Sequence, residues 1–292
     1  MAIVTAACAA AAAAQEALPG RPALLAPQNA MLRVTAESLP SPPGASATKR
    51  HPLDAALQFA QRAYQHAQDQ VRDYSCLLIK RERIEGDLHD MQYIQARVRT
   101  EVAEDGQTVQ PYSVFLEFQG PAKIKGRKVL YVQGHNDNKM LVRNGGKRFN
   151  YVTVKVDPSS EAALRESLVP ITGIGFASVT DSLITLIRKD MERDPSGANT
   201  KVKFFRHAKI NGRVCTRISV LHAKPDPVLE FAEANVFVDD ELHVPIRIEA
   251  LLWPTTTGDA KPLLFEYTYT ELQLNVGLTD ADFRTNLLDR AR

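Results

Sequence analysis

From Tyr74 onward, apolar and polar residues alternate in short runs separated by Gly, Asn and Asp, the two-residue period of half-buried strands. Tyr74–Ile84 turns at Glu85-Gly86-Asp87 into Met91–Val102, where Ile94, Ala96 and Val98 share one face and Tyr93, Gln95, Arg97 and Arg99 the other. Beyond Asp105-Gly106, Tyr112, Val114, Leu116 and Phe118 alternate with Ser113, Phe115 and Glu117 as far as Gly120-Pro121. Val129–Val132, Met140–Arg143 and Phe149–Val156 follow, joined through Gly134–Asn138 and Asn144-Gly145-Gly146. The pattern resumes with Val202–His207 and Arg213–Leu221 around Asn211-Gly212, then Glu230–Val238, Val244–Trp253 after Asp239-Asp240, and Leu263–Leu274. Short polar turns between such runs predict antiparallel meanders. About eleven strands are too many for a flat open sheet, so the sheet must curl.

Two stretches carry the helical period instead. From Pro52, residues Leu53, Leu57, Ala60, Tyr64, Ala67 and Val71 recur at steps of four and three, opposite Gln58, Arg62, Gln65 and Asp69. This predicts an amphipathic helix lying across one sheet. In Gly173–Asp194, Phe176, Val179, Leu183, Leu186 and Ile187 share a face, while Asp181, Thr185, Arg188 and Glu192 lie elsewhere. Covering those five side chains is worth about 7–15 kcal/mol, so the face must rest on something. Ser178 or Thr180 is the expected cap, and Val169–Gly175, broken by Pro170 and two glycines, reads as a bent apolar loop. Two readings fit this insert: a helix packed permanently on the sheet, or a movable lid over an apolar cavity. The fold class is α+β, a curled antiparallel sheet forming an open half-barrel over an N-terminal helix and a central helical insert. A single domain spans residues 51–292.

Composition narrows the class. A charged fraction of 24% and an apolar fraction of 44% are those of an ordinary soluble globular protein. A net charge of +2 gives no nucleic-acid track. Lys80-Arg81-Glu82-Arg83 is interrupted by acid and reads as solvated strand positions. Ala2–Ala14 is uncharged and alanine-rich, and residues 1–14 resemble a signal peptide with a small-residue cleavage site. No Lys or Arg precedes its apolar part, which points to a start upstream of Met1. The apolar run before Cys8 is too short for a lipoprotein acylation box. Residues 15–50 read as a linker, because seven of the seventeen prolines fall between Pro19 and Pro52. No later run approaches the length of a membrane span. If cleavage removes Cys8, Cys76 and Cys215 remain, one in each half of the sheet; a disulfide between them and two separately buried thiols both fit.

A helix, about six strands, a helical insert and about five further strands resemble the LolA/LolB/RseB superfamily of periplasmic lipoprotein-handling proteins. The closing strand Leu264–Asn275, followed by Gly277-Leu278 and Asp282-Phe283, is similar to that group's C-terminal signature. More narrowly, Tyr74-Ser75-Cys76, Lys80-Arg81-Glu82-Arg83 and Pro170–Gly175 resemble a domain-of-unknown-function family of secreted planctomycete proteins. The resemblance covers about residues 52–285. It implies a periplasmic or secreted protein whose half-barrel and helices enclose an apolar cavity that takes lipoprotein acyl chains.

The chemistry-bearing residues point to no enzyme and no cofactor. His51, His66, His89, His135, His207, His222 and His243 are scattered without metal-ligand spacing. Gly145-Gly146-Lys147 lacks a phosphate loop's setting, Asp239-Asp240 is a turn, and no nucleophile elbow is present. The pointed constellation is apolar. Phe176, Val179, Leu183 and Ile187 of the insert face sheet residues drawn from Leu116, Phe118, Ile218, Phe237, Ile248 and Tyr267. With space beneath residues 173–193 this set is a pocket for a lipid or lipoprotein acyl chain; without it, a core. The first case is a non-enzymatic carrier-like protein. The second is a scaffold or sensor that binds another envelope protein along a sheet edge or polar face. A hydrolase ranks behind both.

Overall fold

The computed structural model describes residues 50–145, 152–226, 229–256 and 258–289. The expected leader, nearly all of the expected linker and the start of the strand expected at Phe149 lie outside them.

The alternation in sequence becomes a sheet with one face buried. In β1 (Asp73–Ile84), Tyr74, Cys76, Leu78, Lys80, Glu82 and Ile84 all point inward, as a two-residue period requires. The other strands of the first half are β2 (Asp87–Leu88), β3 (Gln92–Arg99), β4 (Val102–Glu104), β5 (Gln107–Gln110), β6 (Ser113–Gly120), β7 (Lys128–Val132), β8 (Met140–Arg143) and β9 (Thr153–Val156). The second half holds β10 (Thr200–Ile210), β11 (Arg213–His222), β12 (Glu233–Asp239), β13 (Pro245–Leu251) and β14 (Leu263–Leu274). Eleven strands follow one path, β10-β11-β12-β13-β14-β1-β3-β6-β7-β8-β9, with β2 hydrogen-bonded to the end of β1. The fold is therefore α+β with a large antiparallel sheet that does not close, as expected. One expected strand, Met91–Val102, is two: β3 ends at Arg99, and β4 pairs with β5 in a separate ribbon.

Two meanders are sewn together by their first and last strands, β1 and β14, through the register Leu78↔Tyr269 and Lys80↔Tyr267. The first meander thus ends at one edge, β9, and the second begins at the other, β10. The connection between them must cross the whole sheet, and it does so with α2 (Glu161–Leu164) and α3 (Phe176–Arg193). The sequence pattern did not anticipate α2, which is one turn capped by Ser160.

Helix α1 (Asp54–Gln70) buries Ala56, Ala60, Ala63 and Ala67, and this small-residue stripe lets α3 pack closely against it. Helix α3 buries Phe176, Leu183, Ile184, Leu186 and Ile187. Ser178 and Thr180 are not its cap. Gly175 holds that position without a side-chain bond, Thr180 donates its hydroxyl to the Phe176 carbonyl, and Ser182 bonds back to Ser178. On the opposite face of the sheet, Phe283 and Leu288 from the C-terminal segment cover Phe115, Leu130, Val132 and Leu141. That second layer explains why every residue of β7 is buried.

Cys76 and Cys215 are both buried and both free. Strands β14, β13 and β12 intervene between β1 and β11, so of the two readings the structure has the separate thiols. Burial beside Asp239 pushes the Cys215 thiol up to about 11, and burial raises Cys76 as well.

Candidate functional site

The crossing segment does not lie flat on the sheet, and a cavity of about 290 Å³ is left beneath it. Its floor is made by sheet residues, among them Leu78, Ile94, Leu116, Phe118, Val129 and Ile248. Phe265, Tyr267 and Tyr269 of β14 continue the floor, and Met140 and Val142 of β8 form the side towards the β9 edge. The roof is the connector: Pro158, Ala162, Ala163, Val169, Pro170, Ile171 and Ile174, then Val179 and Ser182 of α3, with Val156 at the end of β9 beside it. Asn144 and Glu166, both exposed, mark the rim.

Sheet side chains pin this roof at three places. The Tyr74 hydroxyl donates to the Ile174 carbonyl at 2.8 Å, and that of Tyr112 to the Ile171 carbonyl at 3.2 Å. Because Gly175 has no side chain, the Tyr112 ring can stand 3.3 Å from where a Cβ would be. The third pin is ionic. Glu82 accepts from the Leu168 backbone N–H at 3.1 Å, the Tyr267 hydroxyl at 2.6 Å and the Lys80 ammonium at 2.8 Å. Lys80 also donates to Ser167 Oγ at 2.8 Å. Lys80 is 7% and Glu82 3% exposed, so their reading as solvated strand positions is wrong. The signal was available: both share parity with Leu78 and Ile84. Such a pair is tolerated in an apolar interior because each charge is matched and hydrogen-bonded. Burial beside Glu82 raises the Tyr267 phenol well above its ordinary range, so it donates at any physiological pH.

The ten residues singled out from sequence divide evenly. Leu116, Phe118, Val179, Ile248 and Tyr267 line the cavity. The other five lie elsewhere. Phe176 is wedged between Tyr74 and Tyr269, ring centroids 4.6 and 5.1 Å away. Leu183, Ile187 and Ile218 are at most 1% exposed and belong to the packed core. Phe237 is on the outer face under the Arg217 guanidinium, because its neighbours Val236 and Val238 take the inward parity. The space therefore lies under the connector and the first turns of α3, not beneath the length of residues 173–193. Sequence reasoning missed the connector residues, the Lys80–Glu82 pair and the β7–β8 wall.

Elsewhere, Asp190 and His222 lie 3.7 Å apart, both buried, where the end of α3 meets the end of β11. Burial, with Asp190 nearby, pushes the Glu230 carboxyl up to about 7, against the pull of Lys189. Among the described residues no group of three or more His, Cys, Asp or Glu could hold a metal ion. Among them, too, no helix is long and apolar enough to cross a membrane.

A family model described as "Protein of unknown function (DUF1571)" matches residues 71–288. No curated protein matches the chain in sequence. Solved structures with a similar fold include a LolA superfamily protein from Nitrosomonas europaea, 10% identical over 79% of this chain and 98% of its own, with a TM-score of 0.32. The Mycobacterium tuberculosis lipoprotein LppX is 13% identical over 77% of this chain and 98% of its own, with a TM-score of 0.39. In the Pseudomonas aeruginosa MucA/MucB complex, a 13% identical chain aligns over 80% of this one and 62% of its own, with a TM-score of 0.45. These neighbours include the group that the sequence resembles.

Proposed function

The chain belongs to the DUF1571 family, and from that premise we propose that it is a non-enzymatic binding protein that shelters an apolar ligand, a lipid or lipoprotein acyl chain. The ligand occupies the cavity between the open sheet and the connector. The observation that carries this reading is the cavity itself, about 290 Å³ and walled largely by aliphatic and aromatic side chains. Its volume stands at the lower end of ligand pockets, about 300–1,000 Å³, and a well-packed interior leaves few voids larger than a water molecule. The protein works in the periplasm or outside the cell, residues 1–14 acting as a leader and 15–50 as a tether. Native mass spectrometry with lipid extraction, on protein from a periplasmic preparation, tests this. Acyl lipid that co-purifies and is lost on Val179→Asp supports it. Protein that is free of lipid and takes up no fluorescent fatty acid removes it.

A second reading, binding of another envelope protein along the sheet edge, is favoured by one observation. Strand β10 is a sheet edge eleven residues long that presents Lys201, Lys203, Phe205 and Lys209 to solvent.

A further inference from the structure

The polar atoms of the cavity floor restrict the ligand further than its apolar walls do. Lys80 and Gln92 are direct partners across β1 and β3, so their side chains leave the sheet on the same face about 5 Å apart. Both line the cavity, beside Ser167 and Tyr267. An ammonium has three donors, and Lys80 uses two of them, on Glu82 and Ser167. The Gln92 carbonyl oxygen, Oε1, is buried and has no hydrogen-bond partner among the described residues. An acceptor left unmade in an apolar site is costly, and a ligand that donates to it removes that cost. The floor thus offers one acceptor and one donor side by side, with its formal charge already cancelled by the Lys80–Glu82 pair.

We infer that the ligand of this cavity carries a neutral head that both donates and accepts a hydrogen bond, a hydroxyl or an amide on its apolar chain, and not a carboxylate. The inference rests on the apolar-ligand reading above. A hydroxyl donates to Gln92 Oε1 and accepts from Lys80 in one place. A carboxylate can accept from Lys80 but has nothing to give Gln92, and it sets a second negative charge beside Glu82 around one ammonium. The competing anchor for an acid is Arg127 at the rim, whose Nε also lacks a partner among the described residues. Its guanidinium is held by Glu166 at 2.8 Å, so the rim is neutral as well.

The test is competition against a fluorescent apolar probe, aminoanthracene, on the full chain at neutral pH, with decanol, decanamide, decanoate and decane. Decanol and decanamide are expected to displace the probe at about tenfold lower concentration than decanoate or decane, the value of one well-made buried hydrogen bond. In Gln92→Leu that advantage over decane falls by about the same factor, while decane itself is unaffected. Decanoate binding as tightly as decanol overturns the inference and leaves the apolar-ligand reading standing. Failure of all four to bind removes both. Glu82→Gln, where it folds, leaves Lys80 unmatched and turns the preference towards decanoate; the wild-type series decides the matter where it does not fold.

Discussion

For the acyl-chain ligand proposed above, the cavity volume sets a chain-length limit. A methylene group takes up nearly the volume of a water molecule, about 30 Å³, so roughly ten chain carbons fill the 290 Å³ available. Each buried methylene is worth about 0.8 kcal/mol, close to fourfold in Kd. Ten give about 8 kcal/mol, which corresponds to a Kd on the order of 1 μM before the cost of association is subtracted. Affinity should therefore climb about fourfold per carbon from hexanol to decanol and then level off, since later carbons stay in water. The perturbation is Ile94→Phe on the floor, where the wild-type side chain is 1% exposed and lines the cavity. The added ring atoms take ligand volume, so the break moves to a shorter alcohol while the slope below it is unchanged. Calorimetric titration of the alcohol series gives both slope and break, and thermal denaturation checks that overpacking has cost no more than about 1–3 kcal/mol. An affinity that keeps rising through tetradecanol, or a break that Ile94→Phe does not move, refutes the reasoning.

Glu82→Ala removes one partner of a buried pair and the acceptor for Leu168 and Tyr267, so urea denaturation should show a loss of about 3–5 kcal/mol; a loss below about 1 kcal/mol would mean that water has replaced the carboxylate. Phe283→Ala strips the main cover from the outer cluster of Phe115, Leu130 and Val132, with an expected cost of about 3–5 kcal/mol. Ligand affinity, built on the other face, should stay unchanged in calorimetry. Glu230 has its folded pKa raised from 4.5 to about 7, so the folded state holds the proton that the unfolded chain has already released. Stability therefore falls as pH rises from about 4.5 through 7, by about 2–3 kcal/mol. Glu230→Gln should flatten that part of a stability-against-pH curve; an unchanged slope would assign it to another group.

Periodicity reports which face of an element is covered, and here it did so accurately. Alternation placed the strands, including the β6 residues Leu116 and Phe118 that line the cavity. The steps of three and four placed α1 within two residues of its observed start and gave the stripe of α3, although the expected cap at Ser178 or Thr180 falls three to five residues after the observed one, Gly175. Periodicity does not report what covers a face. Leu183 and Val179 share the helical stripe, yet Leu183 is sealed in the core and Val179 opens on the cavity. The difference lies in how far the facing sheet stands from each, a tertiary distance with no local signature. Phe237 failed for a simpler reason. Although it is an aromatic in a strand, its neighbours Val236 and Val238 hold the inward parity, so Phe237 faces out. Lys80 and Glu82 mislead because their charge argues for solvent while their parity argues for the interior, and a two-residue period leaves the even positions between Leu78 and Ile84 no solvent-facing option.

The position of the cavity follows from the order of the strands. With β1 and β14 at the centre, the chain must travel from the β9 edge to the β10 edge, and only part of that path can be helix. Where it is helix, α3 beyond its first turns packs its stripe onto the sheet and onto the alanines of α1, and no space survives. Where it is not, Pro158, Pro170, Gly173 and Gly175 keep the backbone bent, and a bent segment cannot present a continuous stripe to fill the sheet's concavity. Its height is set by the Tyr74 and Tyr112 hydroxyls and by Glu82, each reaching up to a backbone group or side chain of the connector. These polar pins satisfy backbone groups that would otherwise be buried unmade, and they hold the roof without occupying the space beneath it. The same device places a charged pair at the floor, so the contacts that keep the cavity open also give it a polar end.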